Sequence, residues 1–259
     1  MKKTLALVLA LIMVFSLVAC GKTETAKEHT WADELGTPGK LRVGMATDYP
    51  PYDTYDADGK PAGFDADMAQ MIANKLGVEL ELVPMDFDTI ITAVAAGTLD
   101  MGISCFSYNE ERAKSVLFTD TYMTSAQACF SSSKYGIKTM EDLKDGLVGA
   151  GNGTTGMDVA VELSEQYGYN TQAGEIAVMT EAVKAGAMQA IITEKCVADS
   201  YIKSDPDAYF MIRDDLTLEE IKGITNLNNT ALLDAANEAI REIMADEESY
   251  NAMILYWFG

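Results

Sequence analysis

The sequence predicts an α/β protein folded as two compact lobes, and three observations carry that prediction. From residue 40 onward short β-like runs alternate with helical patterns, as in α/β units on mostly parallel sheets. About 220 residues remain beyond the polar amino-terminal stretch, large for one domain and natural for two. No internal repeat or low-complexity tract breaks the alternation.

The elements follow in order. Leu41 to Met45 reads as a strand, and Asp65 as the cap of a helix with apolar residues at Met68, Met71, Ile72 and Leu76, stopped by Gly77. Val78 to Val83 alternates apolar with acidic residues, as a half-buried strand does. A helix runs from Asp88 through Ile90, Ile91 and Val94 to Gly97, and Leu99 to Ser104 is a strand again. Thr139-x-x-Asp142 has the form of a capping box before a short helix. Leu147 to Gly151 is strand-like, and Gly153-Thr154-Thr155-Gly156 leads into a helix reaching about Tyr167. Ala190 to Thr193 is a short buried strand, with a helix beginning near Glu194. Leu232, Leu233, Ala236, Ala239, Ile240 and Ile243 repeat at helical spacing, and Tyr250, Met253, Ile254 and Trp257 form a last amphipathic turn.

The amino terminus predicts the compartment. Lys2 and Lys3 precede an uncharged run from Thr4 to Ala19, which fits a signal peptide and is short for a membrane span of about 20 residues. Leu17-Val18-Ala19-Cys20-Gly21 resembles the lipobox of bacterial lipoproteins, which implies cleavage before Cys20 and acylation of that cysteine. The polar residues that follow read as a tether too poor in apolar groups to bury a core. Loss of residues 1–19 removes two lysines, so 17 basic residues face 40 acidic ones, a net of −23. Such a surface repels phosphate backbones and argues against nucleic acid. The single histidine, His29, falls in the tether, which excludes Ser-His-Asp and Cys-His catalysis and a histidine metal cage in the folded part. Cys105, Cys129 and Cys196 are odd in number and irregularly spaced, with no zinc or redox motif. Neither a metal nor a cofactor is expected.

Eight short blocks stand in an order that carries a resemblance over nearly the whole mature length. They are Leu41-Arg42-Val43-Gly44, Tyr49-Pro50-Pro51-Tyr52, Gly63-Phe64-Asp65-Ala66-Asp67-Met68, Pro84-Met85-Asp86-Phe87, Glu111-Arg112-Ala113-Lys114, Phe118-Thr119-Asp120, Gly153-Thr154-Thr155-Gly156 and Tyr256-Trp257-Phe258-Gly259. The ordered set resembles the polar amino-acid-binding family (family 3) of bacterial ABC-importer solute receptors. The resemblance implies a periplasmic-binding-protein-like fold of two lobes joined by two crossings, with the ligand in the cleft between them. Residues 40–124 plus 221–259 are expected to form lobe one and 125–220 lobe two, after a signal peptide over 1–19 and a lipidated tether over 20–39. The crossings are expected near Thr124 to Gln127 and near Arg213 to Ile221.

An α-amino acid carries a carboxylate, an ammonium and a side chain, and a buried site must satisfy all three. On spacing alone Arg112, beside Glu110 and Glu111, reads as a solvated surface charge. Its match to the family's Glu/Asp-x-Arg implies instead that its planar fork holds the ligand carboxylate. Thr154 and Thr155, at a strand-to-helix turn, offer backbone N–H groups to the same anion; alone, such a turn is more often just a tight connection. Tyr49 and Phe87 match the aromatic positions that sandwich the ligand side chain, whereas Tyr52 and Phe64 read as core. Ser104, Cys105 and Ser107 match a loop that meets the ligand's polar groups; Cys105 fits equally a lining residue or a small buried one.

Two positions depart from the family. Ala46 stands where an acid is usual three residues before the aromatic, with Asp48 nearby, and Glu194 stands where the second acid is Asp. Glu194 is the principal carboxylate expected to pair the ligand ammonium, with Asp48 in reserve. The expected function is extracytoplasmic capture of an amino-acid-like ligand by a monomeric, lipid-anchored, non-enzymatic receptor that delivers it to the membrane subunits of an ABC importer. The alternatives are an enzyme similar to cyclohexadienyl dehydratase, with Glu194 as general acid, and a ligand-sensing or partner-binding lipoprotein.

Overall fold

The computed structural model describes residues 29–259. The signal peptide, Cys20 and the tether as far as residue 28 lie outside the described residues.

In chain order the strands and helices are β1 (Lys40–Met45), β2 (Thr54–Tyr55), β3 (Pro61–Ala62), α1 (Phe64–Leu76), β4 (Glu79–Pro84), α2 (Phe87–Ala95), β5 (Met101–Ser107), β6 (Val116–Ser125) and β7 (Gln127–Ser132). The chain continues through β8 (Leu147–Gly151), α3 (Thr155–Tyr167), β9 (Asn170–Gly174), α4 (Ile176–Ala185), β10 (Ala190–Glu194), α5 (Lys195–Ser204) and β11 (Tyr209–Arg213). It ends in β12 (Glu219–Asn226), α6 (Thr230–Ala245) and α7 (Glu247–Phe258).

Two five-stranded sheets result, in the orders β4-β1-β5-β12-β6 and β11-β7-β10-β8-β9. The first therefore joins strands from both ends of the chain. The chain leaves it after β6, passes Ala126 into β7 of the second sheet, and returns from β11 to β12 through residues 214–218. The expectation of mostly parallel sheets is corrected here. The pairings β1–β4, β1–β5, β8–β9 and β8–β10 are parallel, but β12 runs antiparallel to β5 and β6, as does β7 to β10 and β11. The crossing strands enter each sheet without an intervening helix, so they return against their neighbours.

Each sheet is covered by helices through apolar faces. α1 buries Met68 and Ile72, and α6 buries Leu232, Ala236 and Ile240, in one core with Leu41 and Val43 of β1. Ile90 and Val94 of α2 pack with Phe106 and Ile224 on the other face. In the second sheet Val148, Ala150 and Ile192 meet Ala160 of α3. Thr139 and Asp142 form the predicted capping box before a short 3-10 turn, Met140–Leu143.

Asp65 does not cap α1. The helix starts at Phe64 with Gly63 as N-cap, at φ 127°, where a Cβ would sit 2.0 Å from the Tyr52 carbonyl oxygen. Asp65 turns inward, accepting the Cys105 backbone N–H and the Tyr122 hydroxyl (2.8 Å). A carboxylate ahead of an apolar period reads as a cap in sequence; two buried donors outweigh that preference.

Trp31–Leu35, placed in the tether by sequence, dock on the first sheet's helices. Trp31–Glu34 form a 3-10 turn, Leu35 is buried, and Trp31 packs against the same core. The Glu34 carboxylate accepts N–H bonds from Ala231 (3.3 Å) and Leu232 (2.7 Å) at the start of α6, a favourable seat for negative charge. Asp100 then fastens the next turn, accepting from Gly36 N (2.8 Å) and Arg42 N (2.8 Å).

Candidate functional site

Where the ends of the two sheets face each other lies a cavity of about 500 Å³. Its first wall comes from the loop after β1 (Ala46 to Tyr49), from Asp53, from Met85 to Asp88 at the start of α2, and from Cys105 and Arg112. Its second wall comes from Gln127, the Gly151–Thr155 turn, Gly174 to Ile176 and Glu194.

Of the ten residues proposed from sequence, Asp48, Tyr49, Phe87, Cys105, Arg112, Thr154, Thr155 and Glu194 line this cavity. Ser104 and Ser107 are buried behind it. The Ser104 hydroxyl accepts from Ala46 N (3.0 Å) and donates to Asp53 Oδ2 (2.6 Å), while Ser107 offers its carbonyl to Arg112.

Arg112 lies on the short 3-10 turn Arg112–Lys114 and is only 7% exposed. Its Nη1 donates to Ser107 O (2.7 Å) and its Nη2 to Gly153 O (2.8 Å), so one guanidinium touches both walls. Its carbon lies 5.4 Å from the Phe87 ring centre and 5.7 Å from that of Phe106, and these rings stack at 4.8 Å. Burial lowers its pKa, with Asp158 and Glu219 acting against the shift. A desolvated guanidinium that donates only to carbonyls forms no ion pair of its own, so it remains a strong donor to an incoming carboxylate.

Tyr49 also spans the walls. Its hydroxyl accepts Glu194 N–H (3.0 Å) and is hydrogen-bonded to Thr193 Oγ1 (2.7 Å). Thr154 is the N-cap of α3, accepting Met157 N–H (3.2 Å) and donating to Gly151 O (2.9 Å). Its hydroxyl is thereby committed within the turn. Thr155 accepts from Gln127 Nε2 (3.2 Å). Cys105 is both lining and buried, at φ 48°, with Asp65 holding its N–H.

Six lining side chains are carboxylic acids: Asp48, Asp53, Asp86, Asp88, Glu175 and Glu194, against the single cation Arg112. Burial pushes Glu194 up to about 8, although the neighbouring Ser125 hydroxyl pulls the other way. Asp48 is raised by burial and by the fields of Glu175 and Asp86. Asp53 is raised well above the usual carboxylate range, first by burial and then by Asp65. Unpaired negative charge in a desolvated space disfavours its own ionised form, and a cation entering there relieves that cost. Among the described residues no three His, Cys, Asp or Glu side chains are arranged to hold a metal ion. No helix among them is long and apolar enough to cross a membrane.

Sequence reasoning missed Asp53, Asp86, Asp88, Gln127 and Glu175. In a chain with 40 acidic residues a further acid reads as solvated surface. Asp53 has one cue, its place directly after the Tyr49–Tyr52 block. Gln127, which donates to Glu194 Oε1 (2.9 Å), stands at a crossing with no motif around it.

The comparisons with known proteins agree with this architecture. The chain is 32% identical over 260 residues to the arginine-binding extracellular protein ArtP of Bacillus subtilis (strain 168), covering all of this chain and 98% of that protein. Its fold is similar to an ancestral arginine-binding protein bound to arginine (TM-score 0.80, 33% identity, 85% of this chain and 99% of the other). It is also similar to an ancestral amino acid-binding protein described as a precursor of cyclohexadienyl dehydratase (TM-score 0.79, 31% identity, 88% and 99%). The model of the bacterial extracellular solute-binding proteins, family 3, matches residues 41–259, from the first strand of the first sheet to the last residue. With both sheets and the cleft between them inside that match, the chain belongs to family 3 of the bacterial extracellular solute-binding proteins.

Proposed function

We propose that this protein is an extracytoplasmic receptor for a cationic L-amino acid, which it captures between its lobes and hands to an ABC importer. The observation that carries the reading is the ring of six carboxylic acids around one guanidinium in a cavity of amino-acid size. Arg112 takes the ligand carboxylate, with the Thr155 N–H as a further donor, that of Thr154 being held by Gly151 O (3.3 Å). Glu194 faces the ammonium, Tyr49 and Phe87 form the flat walls, and Asp48, Asp86 and Glu175 meet the distal cation. Ser104, Ser107 and Cys105 hold the floor. The two relatives that bind arginine by name support this chemistry.

The mechanism is binding without chemistry. Walls from both lobes contact one ligand, so the closed arrangement has the higher affinity and its population rises on binding. The hinge lies at the two crossings, with residues 40–124 and 221–259 moving as one lobe and 125–220 as the other. The protein acts as a monomer. Calorimetric titration tests the charge assignment. L-arginine is expected to bind at least about fivefold more tightly than L-citrulline, its neutral isostere, since pairing a cation with the exposed acids Asp48, Asp86 and Glu175 together contributes about 1 kcal/mol or more. Equal affinities would refute the cationic reading. Native mass spectrometry of the same samples should recover the ligand unchanged; a dehydrated product would favour the enzyme.

Acyl chains on Cys20 hold the receptor at the outer face of the membrane. Cys20→Ser is expected to release the protein from the membrane fraction, as read by immunoblot of the fractions. A variant that stays membrane-bound after signal cleavage would overturn the anchor.

A further inference from the structure

Glu194 and Asp53 share a feature that no other lining carboxylic acid has. Each is buried, at 2% and 0% exposure, each lines the cavity, and each leaves one oxygen without a hydrogen-bond partner, Glu194 Oε2 and Asp53 Oδ1. Their second oxygens are satisfied by neutral donors, Gln127 Nε2 for Glu194 and the Ser104 hydroxyl for Asp53, and the Ser125 hydroxyl beside Glu194 is neutral as well. One belongs to the strand β10 of the second sheet, the other to the loop that Tyr49 closes against the first. Tyr49 links them, one at each end of its side chain. Tyr49 pairs its backbone with Asp53 in both directions (2.9 and 3.0 Å), and its hydroxyl accepts the Glu194 N–H. Both also act on the Cys105 thiol, raised by burial first and then by Glu194, Asp65 and Asp53. Arg112 neutralises neither, since its Nη1 and Nη2 donate to carbonyls.

Two buried oxygens with no partner suit a compact multivalent donor. An ammonium supplies three N–H bonds from one centre, whereas a guanidinium is a flat fork. The geometry points to Asp53 as the partner of Glu194 in a two-carboxylate clamp on the ligand's α-ammonium, one jaw from the loop after β1 and the other from β10. Ser104 sets its position. Its hydroxyl bridges the Ala46 N–H and Asp53, so the carboxylate occupies the corner beside Ala46, where this chain's own residue bears no charge. The assignment rests on the cationic amino-acid reading and adds which residue fixes the ammonium. It also couples binding to proton release. Burial raises the proton affinity of both clamp acids in the empty site, and an ammonium between them lowers it, so binding releases protons.

Calorimetry on the mature protein with two probe pairs tests this. L-arginine is compared with 5-guanidinopentanoate, and L-lysine with 6-aminohexanoate; each second probe lacks only the α-ammonium. Asp53→Asn keeps the shape and an acceptor for Ser104. It should weaken the amino acid at least 30-fold and the desamino probe less than threefold. Wild-type titrations at pH 6 in two buffers of different ionisation enthalpy give the proton count without any variant. Release should be greater by at least half a proton for the amino acid than for its desamino partner. Equal losses in Asp53→Asn, or equal proton release, would overturn the clamp while leaving the cationic reading standing. A wild type that takes neither L-arginine nor L-lysine would refute the cationic reading, and the clamp with it.

Discussion

Replacing Arg112 by alanine is expected to weaken L-arginine binding by about 30- to 5,000-fold while the fold persists. The range corresponds to about 2–5 kcal/mol for removing one partner of a buried, hydrogen-bonded charge pair, here the ligand carboxylate. Three observations place Arg112→Ala in the upper part of it. The guanidinium is nearly enclosed, it bonds carbonyls of both walls, and it lies over Phe87 and Phe106, so losing it also unseats an aromatic wall. Arg112→Lys restores a charge but not the fork that reaches Ser107 O and Gly153 O together, so it should recover only part of the affinity. The fold survives because the carbonyls it leaves border a cavity that water enters. Calorimetry gives the affinity and thermal melting the fold. An unchanged dissociation constant would return Arg112 to the solvated role its flanking glutamates suggest.

The second large effect is on stability. The ligand-free protein should melt at a higher temperature at pH 5 than at pH 8.5, by about 5 °C or more, given roughly 2–4 °C per kcal/mol for a chain of this size. Glu194 moves from 4.5 when unfolded to about 8 when folded, and Asp65 from 3.8 to about 7, burial being the leading cause for both. A folded state that holds the proton more tightly has its full advantage below the unfolded value and loses it as pH rises through the folded one. The window is therefore about pH 4 to 8, and each pH unit between a group's unfolded and folded values contributes about 1.4 kcal/mol. Asp142, Asp205 and Asp246 are displaced the opposite way, but their contribution changes below that window. Saturating L-arginine should flatten the dependence, because the bound cation favours ionised clamp acids. Glu194→Gln should remove part of the drop. A melting temperature that rises from pH 5 to 8.5 without ligand would contradict the burial of these acids.

The sequence disclosed most where local and global preferences coincide. The apolar period of α6, the glycine stop at Gly77 and the Thr139–Asp142 box are local signals, and the tertiary structure kept them. β9 was invisible because Asn170-Thr171-Gln172-Ala173-Gly174 has neither apolar alternation nor β-branched content beyond one threonine; its pairing with β8 is set by the sheet. The break between β6 and β7 carries no turn residue, so nothing local marks where one sheet gives way to the other. In the cleft, residues with a chemical signature stood out, such as Arg112 among family-like neighbours and the two aromatics. Acids whose meaning comes only from burial did not. Asp53 and Asp86 look alike in a string of letters, yet the first is fully enclosed and the second is exposed.

The docking of Trp31–Leu35 sets the length of the leash. Glu34 is fixed to the start of α6, so under the proposed anchoring at Cys20 about ten residues separate the acyl chains from the folded body, a contour of at most some 35 Å. So anchored, the receptor would stay within a layer of that depth above the lipid, held by the sheet that joins both ends of the chain. Meeting an importer would then be a search over a surface rather than through a volume.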